Sequence, residues 1–203
     1  VIRGLGGLSE SQPERYRLSI QPQIQPWWFT RNTGMGEFFL GRNGDAIGKV
    51  DEFDRRFRDG FAEQVDVASM KLCYADILER TDPAAVFTHM KEVHERLERD
   101  HPDVRFVWWT VPVPIPSRLS DKRSQINDRI RSHVREHGAM LLDVADIESH
   151  DANGRQRLHE NGGEGLVEAW ARDQGGHLND TGAQRVGRAW WWLMAREAGW
   201  SGR

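Results

Sequence analysis

The sequence predicts an α/β fold, a parallel sheet with helices on both faces. Three observations carry this prediction. Short apolar, partly β-branched runs alternate along the chain with amphipathic runs of helical period. The 203 residues suit one domain, spanning 1–203, and no repeat, low-complexity tract or linker divides them. The 38% of hydrophobic residues, taken with the 20 glycines, gives an apolar content ordinary for a domain with its own core.

The elements follow in chain order. VIRGLGGL reads as a helix, with Ser9 in the loop after it. RLSIQPQI (17–24) reads as a short strand and leads into a Trp-rich loop, IQPWWF (24–29). Ile47, Val50, Phe53 and Phe57 recur at helical spacing. VDVASMKLCY (65–74) reads as a buried strand. Asp82 followed by Pro83 is an N-cap with proline in the first helical position, and Val86, Met90, Val93 and Leu97 form the apolar stripe behind it. VRFVWWTVPV (104–113) is the strongest strand and is ended by its prolines. Ile126, Ile130 and Val134 mark a helix closed by Gly138. AMLLDVADI (139–147) reads as the last buried strand, and a final helix runs over 179–198 with Ala183, Val186, Trp190 and Leu193 inward. His89 and His94 lie in a charge-rich helix and are expected at the surface.

Bulk properties exclude several functions. A net charge of −3 supplies no basic field for nucleic acid. The single cysteine, Cys73, rules out an internal disulfide framework but leaves the compartment open. No apolar run approaches the roughly 20 residues that span a bilayer. HVREH (133–137) matches a zinc-binding H-x-x-E-H pattern. It sits at a helix end, where histidine also suits the macrodipole, and no third-ligand motif follows, so no metal is expected.

In open parallel sheets, ligands bind beyond the carboxyl ends of the strands. Three segments fall there. In FFLGRNGDAIG (38–48), Gly41, Asn43 and Gly44 precede a helix; such N–H groups suit an anion or a developing oxyanion, or form an ordinary turn. In MKLCYADI (70–77), Lys71 interrupts an apolar run and must be paired or reach water. Cys73 and Tyr74 follow; Cys73 is a small hydrophobe or a nucleophile with Lys71 or His177 as its basic partner. In DQGGHLNDTG (173–182), His177 sits behind two glycines and ahead of a helix start, as a structural residue or a general base.

LGRNGDAIGKVDEF, DVASMKLCYADI, FVWWTVPV, LLDVADIE and, most specifically, GGHLNDTGAQRVGRA together resemble the SGNH (GDSL-like) hydrolase superfamily, in a divergent branch. The resemblance covers nearly the whole chain. It implies a flavodoxin-like three-layer sandwich with a central parallel sheet. It also implies cofactor-free acyl transfer from an ester or acetyl group to a serine, with His177 as general base. An aspartate would orient that histidine, and N–H groups with an asparagine side chain would form the oxyanion hole.

The chain departs from the family pattern in three places. No Gly-Asp-Ser motif is present, and VIRGLGGL looks like the helix that follows it, so the first strand and the nucleophile are expected upstream of Val1. Gln174 stands three residues before His177, where the family has aspartate; Asp173 is adjacent and is expected to take its place, with Gln174 as the other candidate. Lys-Leu-Cys-Tyr stands where the family has Gly-x-Asn-Asp, which leaves Asn43 as a substitute donor. The expected function is an ester or acetyl hydrolase, acting on a small-molecule or carbohydrate ester. The Trp-rich loop would serve as a sugar platform, or as core or lid. The alternative is a non-catalytic domain of the same fold that binds a glycan or a protein partner. Oligomeric state and localisation are left open.

Overall fold

A computed structural model describes residues 1–16 and 18–201. Arg17, the first residue of the strand expected at 17–24, lies outside the described residues. The elements are α1 (Ile2–Ser11), β1 (Ile20–Gln21), β2 (Met35–Gly36), α2 (Ala46–Arg56), β3 (Val67–Ser69), α3 (Pro83–Asp100), β4 (Arg105–Trp109), α4 (Ser120–His137), β5 (Met140–Leu142), α5 (Val144–Ser149) and α6 (Asp180–Glu197). Strands β3, β4 and β5 form a parallel sheet in that order, and β1 and β2 form a separate parallel pair.

Strand β4 explains the three layers. Its side chains alternate across the sheet. Phe106 and Trp108 enter a core shared with Val50 and Phe53 of α2, Met90 and Leu97 of α3, and Ile126 and Ile130 of α4. Val107 and Trp109 enter a second core with Leu5 of α1, Leu142 of β5 and Val186 and Trp190 of α6. Helices α1 and α6 meet almost backbone to backbone. A Cβ on Gly187 would lie 2.9 Å from the carbonyl carbon of Gly4, and one on Gly4 would collide with the Ala183 carbonyl, so only glycine permits this approach.

The sheet is interrupted between β2 and β3. The Arg105 N–H donates to the Asp66 carbonyl, so the alternation of a parallel ladder turns the amide groups of Val67 and Ser69 away from β4. The Met35 and Glu37 N–H groups donate to Ser19 and Gln21, which leaves Gly36 facing away from β1. Between these edges runs an apolar slot of about 390 Å³, bounded on one side by Phe53 and Phe57 and on the other by Trp190 and Met194.

The strands expected at 17–24 and 65–74 shorten to Ile20–Gln21 and Val67–Ser69, with Tyr74 in a 3-10 turn, and three further expectations change. His94 is buried, not at the surface. It lies four residues after Met90, on the same helical face, and its ring stacks on Trp108 at 4.2 Å beside Phe53 and Phe106. The run at 139–147 is a strand only over Met140–Leu142. Asp143 then caps a helix through the Asp146 N–H and converts the rest of the run to α5. Ser9 lies within α1, not in a loop after it. In the HVREH segment the rings of His133 and His137 lie 4.2 Å apart, tilted by 31°, and His137 Nδ1 bonds the His133 carbonyl. Among the described residues, no helix is long and apolar enough to cross a membrane.

The excursion from 150 to 178 pairs through isolated bridges and holds one 3-10 turn, Glu168–Trp170, and Arg131 of α4 fastens it to the body. Arg131 makes two bonds to Asp143, at 2.7 and 2.9 Å, and two to the buried Glu164, at 2.8 and 3.2 Å. Arg131→Ala should cost about 3–5 kcal/mol in urea unfolding, because it leaves a buried carboxylate unpaired. A loss below about 1 kcal/mol would show that the cluster is as weak as a surface pair.

Candidate active site

The segment 173–178 is held at the carboxyl rim of the sheet. The Ile115 N–H, beyond β4, donates to the Gly175 carbonyl at 2.7 Å, and the Arg172 N–H donates to the His177 carbonyl at 2.8 Å. The two glycines allow Tyr74, beyond β3, to pack against the segment. A Cβ on Gly176 would sit 2.5 Å from the tyrosine ring, and one on Gly175 would sit 3.1 Å from Asp173 Oδ1. The Tyr74 ring meets the His177 ring edge to face, with centroids 6.1 Å apart. Burial raises the Tyr74 phenol above its ordinary pKa, so it stays protonated at neutral pH.

His177 Nδ1 bonds Asp173 Oδ2 at 2.7 Å. Asp173 also accepts the Gly175 N–H at 2.9 Å. That backbone bond first, and His177 second, hold the carboxyl below the usual carboxylate range. A carboxylate on Nδ1 favours the tautomer with its proton there, which leaves Nε2 with a lone pair able to accept a proton. No described residue hydrogen-bonds Nε2, and the imidazole is 59% exposed. Gln174 is exposed and makes no hydrogen bond to a described residue. Of the two candidates, Asp173 is the one bonded to the ring.

The glycine turn is anchored elsewhere. The Gly41 N–H donates to Glu52 Oε2, and the Gly44 N–H to Asp76 Oδ1 at 3.1 Å. Both N–H groups are thus held by carboxylates and are not free for an oxyanion. Asn43 differs: its Oδ1 accepts from Lys49 Nζ at 3.0 Å, which leaves its Nδ2 donor group open. Lys49 in turn pairs with the buried Asp76 at 2.9 Å. Asp76 also accepts the Cys73 N–H at 2.7 Å. One carboxylate thus ties the turn before α2 to the end of the third strand. Cys73 is half-buried, and its Sγ accepts the Ala75 N–H at 3.5 Å; it contacts neither Lys71 nor His177 by a hydrogen bond. Lys71 is exposed and, among the described residues, reaches the Leu72 carbonyl alone, at 3.4 Å.

Sequence reasoning missed Lys49, Asp76 and Glu148. Glu148, on α5, is fully buried and accepts the Val113 N–H at 2.9 Å. Burial pushes its pKa up to about 7, against the influence of that N–H and of Lys71. The signal available for Asp76 was a carboxylate inside an apolar run, three residues after Cys73.

Fold and rim together define an α/β protein of the SGNH-hydrolase type, with an Asp–His pair beyond the strand ends. The chain belongs to the GDSL-like lipase/acylhydrolase family, whose model matches residues 19–185. Solved structures share the fold at low identity. A GDSL-like lipase from Bacteroides thetaiotaomicron is 12% identical with a TM-score of 0.61, over 97% of this chain and 100% of that one. A protein assigned as an acylhydrolase from Bacteroides fragilis is 14% identical with a TM-score of 0.60, over 88% and 85%. A protein assigned to the G-D-S-L lipolytic family from Desulfitobacterium hafniense is 15% identical with a TM-score of 0.56, over 79% of each chain. Comparison with curated proteins finds no match.

Proposed function

We propose that this protein hydrolyses ester or acetyl groups through a serine acyl-enzyme, with His177 as the general base. The observation that carries the reading is the 2.7 Å Asp173–His177 bond at the sheet's carboxyl rim. The serine Oγ attacks the ester carbonyl as its proton passes to His177 Nε2. The carbonyl π pair moves onto oxygen, where the Asn43 Nδ2 group is the available donor. Collapse breaks the ester C–O bond, and the alcohol leaves with the proton from His177. Water, deprotonated by His177, then releases the acid and restores the serine. Such a base contributes about 10²–10⁴-fold, and one oxyanion donor about 10²–10³-fold.

The nucleophile, in this reading, rides on a strand that fills the slot beside β3 and turns into α1 at Val1. Two features support it: the facing strand edges carry amide groups that are unpaired among the described residues, and the slot between them is apolar. Fluorophosphonate labelling of protein expressed from its own start codon tests the proposal. A covalent adduct that disappears in His177→Ala is expected. An unlabelled protein that still binds a glycan or a protein partner would favour the non-catalytic alternative.

A further inference from the structure

A second cavity lies outside the catalytic loop. It is a cleft of about 840 Å³ between the turn at 42–47 and the segment at 75–86. The first turns of α2 and α3 both line it, and each is capped by an aspartate, Asp45 and Asp82, that offsets the helix dipole there.

Its carboxylates are already engaged. Asp45 accepts the Gly48 N–H at 2.9 Å, and Asp82 accepts the Ala84 N–H at 2.9 Å. Asp76 is paired with Lys49. Its two arginines are not engaged. Arg42 and Arg80 both line the cleft, and neither guanidinium bonds any described residue. Nearby Arg118 pairs with Glu79 at 3.3 Å, and Lys122 donates to the carbonyls of Glu79 and Thr81. The local supply of partners is used by other cations, and Arg42 and Arg80 remain as open forks. Two guanidinium groups suit an acidic group with several oxygens. Asn43 lies on the same wall.

We propose that this cleft binds an acidic group of the substrate, a carboxylate or a phosphate, between Arg42 and Arg80. The site would select acidic esters over neutral ones. The word substrate rests on the hydrolase reading above; the anion site itself does not, and it is read by binding without turnover.

Isothermal titration calorimetry of the chain at low salt, with inorganic phosphate and separately with succinate, tests the site. Saturable binding of at least one of them at a single site is expected. Arg42→Gln and Arg80→Gln should each weaken it about tenfold, while Arg188→Gln, which removes the same charge elsewhere, leaves it unchanged. Binding of neither anion would overturn the proposal. So would an affinity that is the same in the Arg42→Gln/Arg80→Gln double variant, or one that falls equally in Arg188→Gln. Failure of ester hydrolysis would leave this result intact, so the two readings fail separately.

Discussion

His177→Ala should slow acylation of the serine by an ester or a fluorophosphonate by about 10⁴-fold, the upper end for a general base. Asp173→Asn should slow it by about 10²-fold. The smaller loss follows from the geometry. Asp173 acts on the reaction through His177 Nδ1, and it is 40% exposed, so water can partly replace its carboxylate. Asparagine keeps a side-chain oxygen near Nδ1 but not the charge that stabilises the imidazolium. Gln174→Ala should change the rate less than about twofold, as a surface substitution without partners does. Single-turnover labelling rates measure all three. A large loss in Gln174→Ala with none in Asp173→Asn would reverse the assignment of the orienting residue.

The second large effect concerns acid stability. His94 is fully buried, and neither ring nitrogen has a hydrogen-bond partner among the described residues. Burial first, and the neighbouring His133 second, bring its pKa down to about 4. Unfolded, it would titrate near 6.5. Between these values the unfolded chain binds the proton and the folded chain does not, so stability falls as pH drops from about 6.5 to about 4. The loss is about 3 kcal/mol across that window.

Glu148 works in the opposite sense. Its folded pKa of about 7 lies above its unfolded value, so its contribution is present at low pH and fades as pH rises towards 7. The two partly cancel in the wild type, and the difference between variants isolates each. His94→Phe keeps a flat ring against Trp108. Its stability relative to wild type should therefore increase by about 3 kcal/mol between pH 7.5 and pH 4 in urea unfolding. A difference independent of pH would show that His94 already holds its proton when folded.

Particular residues show how far the sequence could be read. The layers were legible because β4 repeats bulky apolar residues with period two and the helices around it repeat with period near four. The last helix was legible from its cap: Asn179 accepts the Gly182 N–H at 2.9 Å, as its place before the apolar stripe suggests. The reach of Asp173 was legible as one of two options, and its carboxylate is the one found 2.7 Å from Nδ1.

Other features needed tertiary contact. A histidine beside an apolar stripe reads as polar until Phe53, Phe106 and Trp108 are seen around it. Asp143 reads as the interior of a strand until its side chain is seen to accept a helix N–H. The Lys49–Asp76 pair spans separate segments and has no local period to announce it. The same holds for the donors at Gly41 and Gly44. Glycine turns declare free N–H groups in sequence, and only the fold reveals the carboxylates that take them.

The central claim is that His177 activates a serine carried by the strand that completes the sheet. Mapping a fluorophosphonate adduct by mass spectrometry, on protein expressed from its own start codon, tests this most directly. The account predicts the adduct on a serine a few residues before Val1, preceded by a short apolar run, and lost in His177→Ala. An adduct on a residue within 1–203, or one indifferent to His177→Ala, would contradict it.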